Sequence, residues 1–278
     1  MKRNRIPAIL TVILLFATYI LPAQQVLYSK YDKFDYRSGE FSVVGKVGHT
    51  LYVYRGSSEG YYLDAYDNNM HRNATVVLDF LPRKSFGTKF ITYPGKIIVL
   101  YQVTESSRVI QHAAVLDETG RLLKKPVEID AVKSSFLGGR SGLYNYAVSQ
   151  NKQRIAIYGA GSKNNQLNAK IVMLDTALNI VSAKESSFTA DNDVSFGEGI
   201  LNDDGAFFLP AYTTYGSRQY ADRIWLLAIT EGSVDFEAAE LPMGELFAAG
   251  PYMEIATAGS RIYVGGFYTD RKNGYFNG

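Results

Sequence analysis

The stretch "RGSSEG", Arg55 to Gly60, carries the G-x-S-x-G spacing that presents a serine nucleophile in many hydrolases. A nucleophile elbow needs a strand running into a helix, because the helix N-terminus and its amides build the oxyanion hole. Here "TLYVY" precedes Ser58 and "YYLDAYD" follows it, so the serine falls in a strand-to-strand loop. The histidines that could activate it are His49 and His71, both in polar turns, and His112, inside an apolar run. No triad is assembled locally, and no catalytic residue is assigned. Metal chemistry fares no better. There is no cysteine, no H-E-x-x-H and no EF-hand loop. "DNDVSFGEG", Asp191 to Gly199, holds three carboxylates but departs from the calcium-loop pattern and reads as a solvated loop. Paired carboxylates for glycoside hydrolysis would have to come from distant parts of the chain. Neither a metal nor a cofactor is expected.

The elements that would position any site repeat along the chain. Tyrosine (21), phenylalanine (15) and glycine (25) are abundant, a bias toward pleated strands and tight turns. The apolar runs "TLYVY", "KIIVLY", "RIAIY", "AFFLP" and "RIYVGGFY" recur at intervals of 46 to 58 residues, counted from Leu51, Ile97, Ile155, Phe207 and Ile262. A turn signal and another extended segment precede each run, which makes a hairpin repeated five times. After each of the first four hairpins comes a third run, ending at Asp67, Asp117, Asp175 or Thr230. A more polar fourth segment follows. A further marker, Phe86, Phe136, Phe196 and Phe247, is followed each time by a nearby glycine and reads as an aromatic wedge between units.

Four strands per unit of this length, with no helical segment between, is the arithmetic of a β-propeller. The expected fold is all-β, with blades at about 41–82, 83–130, 131–190 and 191–243 and a partial fifth at 244–278. The chain resembles β-propeller repeat proteins in general from about Phe41 onward. "RIYVGGFY" resembles the double-glycine strand of kelch repeats, although the other units lack that pair and Trp225 is the only tryptophan. "NDDG", Asn202 to Gly205, resembles part of a sialidase Asp-box turn without its tryptophan. Closed propellers have typically four to eight blades. Two explanations of the half blade therefore compete: truncation of a six- to eight-bladed ring, which the strand count favours, or completion by a latch strand within residues 24–40.

Residues 1–23 read as a secretory signal, with Lys2, Arg3 and Arg5 ahead of an apolar run from Ile9 to Leu21. That run is shorter than the roughly 20 residues of a spanning helix, so export without a retained membrane span is expected. Removing the three basic residues takes the formal net charge from +2 to −1. No basic excess remains to hold a phosphate backbone, which disfavours nucleic acid as a partner.

In a four-stranded blade the 2–3 and 4–1 connections share one end. The sequence places its longer connections there, including "GAGSKNNQLN", "AYTTYGSRQY" and "AVKSSFLGGRSG". With the shorter first 2–3 loop they hold Arg55, Arg140, Tyr212, Tyr215, Arg218, Tyr220 and Arg271, residue types that dominate binding surfaces. The expected function is non-catalytic binding of a protein, peptide or glycan across that end. Alternatives are a carbohydrate-active hydrolase using carboxylates near the central channel, and a structural module of a larger envelope protein.

Overall fold

The computed structural model describes residues 26–30, 39–133, 144–163, 165–189, 194–213, 220–255 and 262–271. The segment read as a signal lies outside them. The chain divides into two compact units, Met1–Val77 and Leu78–Gly278.

The first unit is built on one antiparallel meander, β1 (Glu40–Val47), β2 (Thr50–Ser57), β3 (Gly60–Tyr66) and β4 (Arg72–Val77), paired in chain order. β2 and β3 supply most of its buried side chains, among them Tyr52, Tyr54 and Leu63. The Tyr54 ring stacks on Tyr61 at 6.3 Å. Residues 26–30 form no strand.

The second unit repeats the meander. Sheet two is β5 (Phe86–Tyr93), β6 (Lys96–Glu105), β7 (Arg108–Asp117) and β8 (Leu122–Lys133). Sheet three is β9 (Asn145–Val148), β10 (Arg154–Lys163), β11 (Gln166–Asp175) and β12 (Ile180–Thr189). Sheet four opens on two short pieces, β13 (Val194–Phe196) and β14 (Ile200–Leu201), which both pair with β15 (Phe207–Thr213). Between β15 and the next strand of that sheet comes β16 (Tyr220–Ala221), which leaves sheet four. β17 (Ile224–Ile229) and β18 (Glu237–Leu241) complete sheet four. Sheet five is β16, β19 (Phe247–Ile255) and β20 (Ile262–Thr269).

Strand alternation explains how these sheets stack. On β10, Ile155 and Ile157 join a core with Ile98, Leu100 and Val109 of sheet two. Their neighbours Ala156 and Tyr158 point the other way, into a core with Phe207, Leu209 and Leu227 of sheet four. Successive side chains leave a strand on opposite faces, so one apolar strand serves two interfaces. Ala221, Ile224 and Ala248 begin a smaller core between sheets four and five. Within the second unit this is the β-propeller arrangement: antiparallel meanders packed face to face in chain order. The outer strands carry the exposed polar residues, as β4 and β18 show, and charge there discourages pairing with other chains.

The aligned aspartates have a structural reason. Asp117 Oδ1 accepts from the amides of Thr119 (2.8 Å) and Arg121 (3.0 Å). Asp175 Oδ1 accepts from Ala177 (2.8 Å) and Asn179 (2.9 Å). Asp67 Oδ1 does the same with Asn69 (2.8 Å) and His71 (2.9 Å). Each carboxylate folds the 3–4 turn of its sheet as an Asx turn. Thr230 takes that place in sheet four through Ser233, 2.8 Å away.

Two expectations about the connections change. "GAGSKNNQLN" is not a long loop: the β10–β11 ladder continues to Lys163 opposite Gln166. The other described 2–3 connections of sheets one and two are equally tight, at Ser57 to Gly60 and Glu105 to Arg108. Main-chain pairing does not depend on side-chain polarity, so a polar stretch can stay in the ladder once the hairpin is anchored. In addition, the extended segment before "NDDG" supplies only β14, while β13 lies inside the stretch read as a loop.

Candidate functional site

Ser58 is exposed at the tip of the two-residue turn between β2 and β3. No helix follows it, so no oxyanion hole is built there.

The structure separates the residues nominated from sequence. Arg55, on β2, turns onto the buried Asp64 of β3, with Nε at 2.5 Å and Nη2 at 3.0 Å from its two oxygens. Thr75 adds a third bond to Asp64 at 2.6 Å, and the guanidinium lies 5.4 Å from the Tyr62 ring. A buried carboxylate without such partners would be strongly destabilising, so Arg55 serves the fold of the first unit. Tyr220 is only 2% exposed, within β16, and packs rather than faces solvent. Tyr212, on β15, is half-buried against the core between sheets four and five. Arg271 is exposed beyond β20, with its amide donating to Thr269 Oγ1 at 3.2 Å. Arg140, Tyr215 and Arg218 lie outside the described residues.

A cleft does open at the same end of the second unit, between sheets three and four. Leu167 of β11 and Phe188 and Thr189 of β12 form one wall. Arg223, Trp225 and Leu227, at and along β17, form the other, and the volume is about 200 Å³. The three share a face because they are spaced by two. Trp225 pairs in register with Glu240 of β18. The Arg223 fork spans both Glu240 oxygens, at 2.9 and 2.8 Å, and its guanidinium lies 4.7 Å from the Trp225 ring centre. Arg223 holds the Glu240 carboxyl below its ordinary range. Slight desolvation opposes this, and the Trp225 indole N–H adds to it. Sequence reasoning nominated none of these residues; the alternate spacing of Arg223, Trp225 and Leu227 around the lone tryptophan is the signal that could have grouped them. What sequence lacked was the facing wall, some 35 residues earlier.

The scaffold beside this end is held by a polar network between sheets two and three. Gln102 donates to the Tyr144 carbonyl (2.9 Å) and to the Tyr146 hydroxyl (3.0 Å), and accepts from the Tyr144 amide (2.8 Å). The Tyr146 hydroxyl also lies within bonding distance of the Gly87 carbonyl (3.0 Å) and Gln111 Oε1 (2.9 Å). Burial pushes the Tyr146 phenol up to about 12, against the opposing effect of the two glutamines. Tyr144 donates to Asp130 at 2.6 Å and Lys170 reaches the same carboxylate at 2.8 Å. Burial, then Asp130, raises the Tyr144 phenol well above its usual range. The two phenols stay protonated near neutral pH and their partners are mutually satisfied, which suits a rigid support. Among the described residues no three His, Asp or Glu side chains are grouped to hold a metal ion.

No protein-family model matches the chain, nor does any curated protein sequence. Among solved structures, hydrazine synthase of Kuenenia stuttgartiensis is 14% identical with a TM-score of 0.44, covering 80% of this chain and 61% of its own. The GH32 beta-fructofuranosidase BmSUC1 of Bombyx mori is 10% identical with a TM-score of 0.37, covering 82% and 54%. Zg3597, a family 117 glycoside hydrolase of the marine bacterium Zobellia galactanivorans, is 13% identical with a TM-score of 0.35, covering 77% and 73%. The chain spans less than two thirds of the length of the first two. These likenesses transfer no residue and no activity to it.

Proposed function

We propose that the chain is an exported, non-catalytic β-propeller module that binds a protein, peptide or glycan at the 2–3 and 4–1 end of its sheets. The cleft between sheets three and four is its anchor point. The observation that carries this reading is a mainly apolar cleft lined by Trp225 and by Arg223, which Glu240 holds in place. Tryptophan and arginine are the side chains that most often dominate binding energy, above all in pockets ringed by other contacts. The apolar walls supply desolvation, while the Arg–Glu pair keeps the lip polar and its charge balanced. Export rests on the basic and apolar pattern of residues 1–23.

Trp225 is the only tryptophan, so its fluorescence reports this cleft alone. Titration with a glycan panel and a peptide library is expected to find a ligand that shifts its emission. Phe188→Ala should weaken that ligand by roughly tenfold, the effect of losing one buried aromatic contact. A ligand that binds without changing the emission, and equally well to Phe188→Ala, would place the binding surface elsewhere. Release of reducing sugar in the same panel would favour the hydrolase instead.

A further inference from the structure

We infer that the ligand of the cleft between sheets three and four is an extended peptide. It adds a strand to the free edge of β18 and seats one large apolar side chain, aromatic or leucine, in the cleft. This inference rests on the proposed function and narrows it from protein, peptide or glycan to one chemistry. β18 is the last strand of sheet four, paired with β17 on one side and with no described strand on the other. Among the described residues, the N–H and C=O groups on that outer edge have no main-chain partner. Such a row of groups is a template for an added strand.

The register aims that strand at the cleft. Leu227 of β17 pairs with Ala238 of β18, and both line the cleft. Residues directly opposite one another in a sheet send their side chains to the same face. A peptide residue placed opposite Ala238 therefore continues the row Leu227–Ala238 on the face that looks toward Phe188. Ala238 is exposed and carries only a methyl group, so it leaves that space to the incoming side chain. Glu237 and Glu240 discourage β18 from pairing with a copy of itself, whereas Ala238 and Ala239 keep the centre of the strand clear.

The lining decides between an apolar side chain and a sugar. The cleft holds about 200 Å³, below the roughly 300–1,000 Å³ of small-molecule sites and suited to one large side chain. Leu167, Phe188, Trp225, Leu227 and Ala238 make most of its lining apolar. Arg223 is the one charged residue of that lining, and Glu240 matches it through both carboxylate oxygens. The Trp225 indole N–H is also directed to Glu240. Charge complementarity therefore calls for a neutral occupant. A sugar ring would bury several hydroxyls against a lining with few polar partners to offer, and each hydroxyl left unpaired costs binding. An apolar side chain buries no such group, and the backbone that carries it finds its partners along β18.

Selection of a displayed library of short random peptides on the full chain tests this, with a glycan array run in parallel. The recovered peptides are expected to share an aromatic residue or leucine at one position, and tryptophan-free members to shift Trp225 emission. Alanine at that position should weaken binding by roughly tenfold or more, the effect of losing one large buried side chain. Only every second amide of an added strand faces β18. N-methylation of alternate residues should therefore abolish binding in one phase and spare it in the other. Ala238→Leu fills the space and should abolish binding, whereas Ala239→Leu, whose side chain leaves the opposite face, should bind as the wild type does. The methylation series needs no variant, so a folding defect in Ala238→Leu would not obscure the result. Glycans that shift the emission when no selected peptide does would overturn the peptide and leave the cleft as the binding site. Peptides that tolerate methylation in both phases, or that bind a folded Ala238→Leu equally well, would overturn the added strand. No shift from either arm would overturn the proposed function as well.

Discussion

His112 lies on the third strand of sheet two, its ring stacked on Tyr101 with centroids 5.2 Å apart. Burial lowers its pKa below the ordinary 6.5, although Glu128 and Glu105 pull the other way. An imidazole that is harder to protonate when folded makes the unfolded chain the better proton acceptor in this range. Stability is therefore fully present above the unfolded value of 6.5 and is lost as pH falls through the folded value. We predict that the urea midpoint drops between about pH 7 and pH 5, and that His112→Phe, which keeps the stack, flattens part of that drop. An identical slope in the two proteins would show that His112 does not titrate differently on folding. Arg55 teaches a related lesson at this scale. Its residue type marked it as a binding candidate, yet its partner Asp64 lies on the adjacent strand. The pairing is diagonal, since Arg55 sits opposite Tyr62 and Asp64 opposite Val53, and only a known register exposes it.

At the scale of elements, two of the four Phe-Gly markers, at Phe86 and Phe196, prove to be interface devices, while Phe136 lies outside the described residues. Phe86 packs against the core between sheets two and three. Gly87 holds φ at +59°, and a Cβ placed there would come within 2.6 Å of Gln102 Nε2. The glycine thus lets the chain turn into β5 while Gln102 keeps its contacts to Tyr144 and Tyr146. Gly87→Ala should cost about 1–3 kcal/mol, from the left-handed backbone and the displaced amide together. Equilibrium denaturation would measure it, and a change within error would mean that the network relaxes freely. The main strands and their order were legible from the apolar runs, though not the short β13 and β16, and the polar turns at the aligned aspartates were legible too. Strand length was not. Residues Gly159 to Lys163 look like a loop in composition, yet they pair residue for residue with Gln166 to Lys170.

Across the whole molecule, sheets two to five share continuous cores, each sheet covering the next. Leu78 and Leu81, ahead of sheet two, are buried within the same unit. A fragment of residues 78–278 is therefore expected to retain a cooperative unfolding transition and a β-type far-ultraviolet spectrum, because its cores are internal to it. A fragment that is soluble but melts without cooperativity would show that the first unit is needed to complete those cores.

Sequence by itself determined the all-β class, the four-strand period and the stacking of sheets in chain order. It could do so because strand alternation and turn residues are local, and a strand apolar on both faces announces two covering neighbours. Tertiary structure alone decided which polar side chains are consumed in the interior and where a cleft remains. Arg55 is committed to Asp64 and Tyr220 to the core, whereas Phe188 meets Trp225 across a sheet interface. Those outcomes depend on which residues are brought opposite one another by register and stacking, often dozens of positions apart, and residue type and spacing along one strand do not encode them.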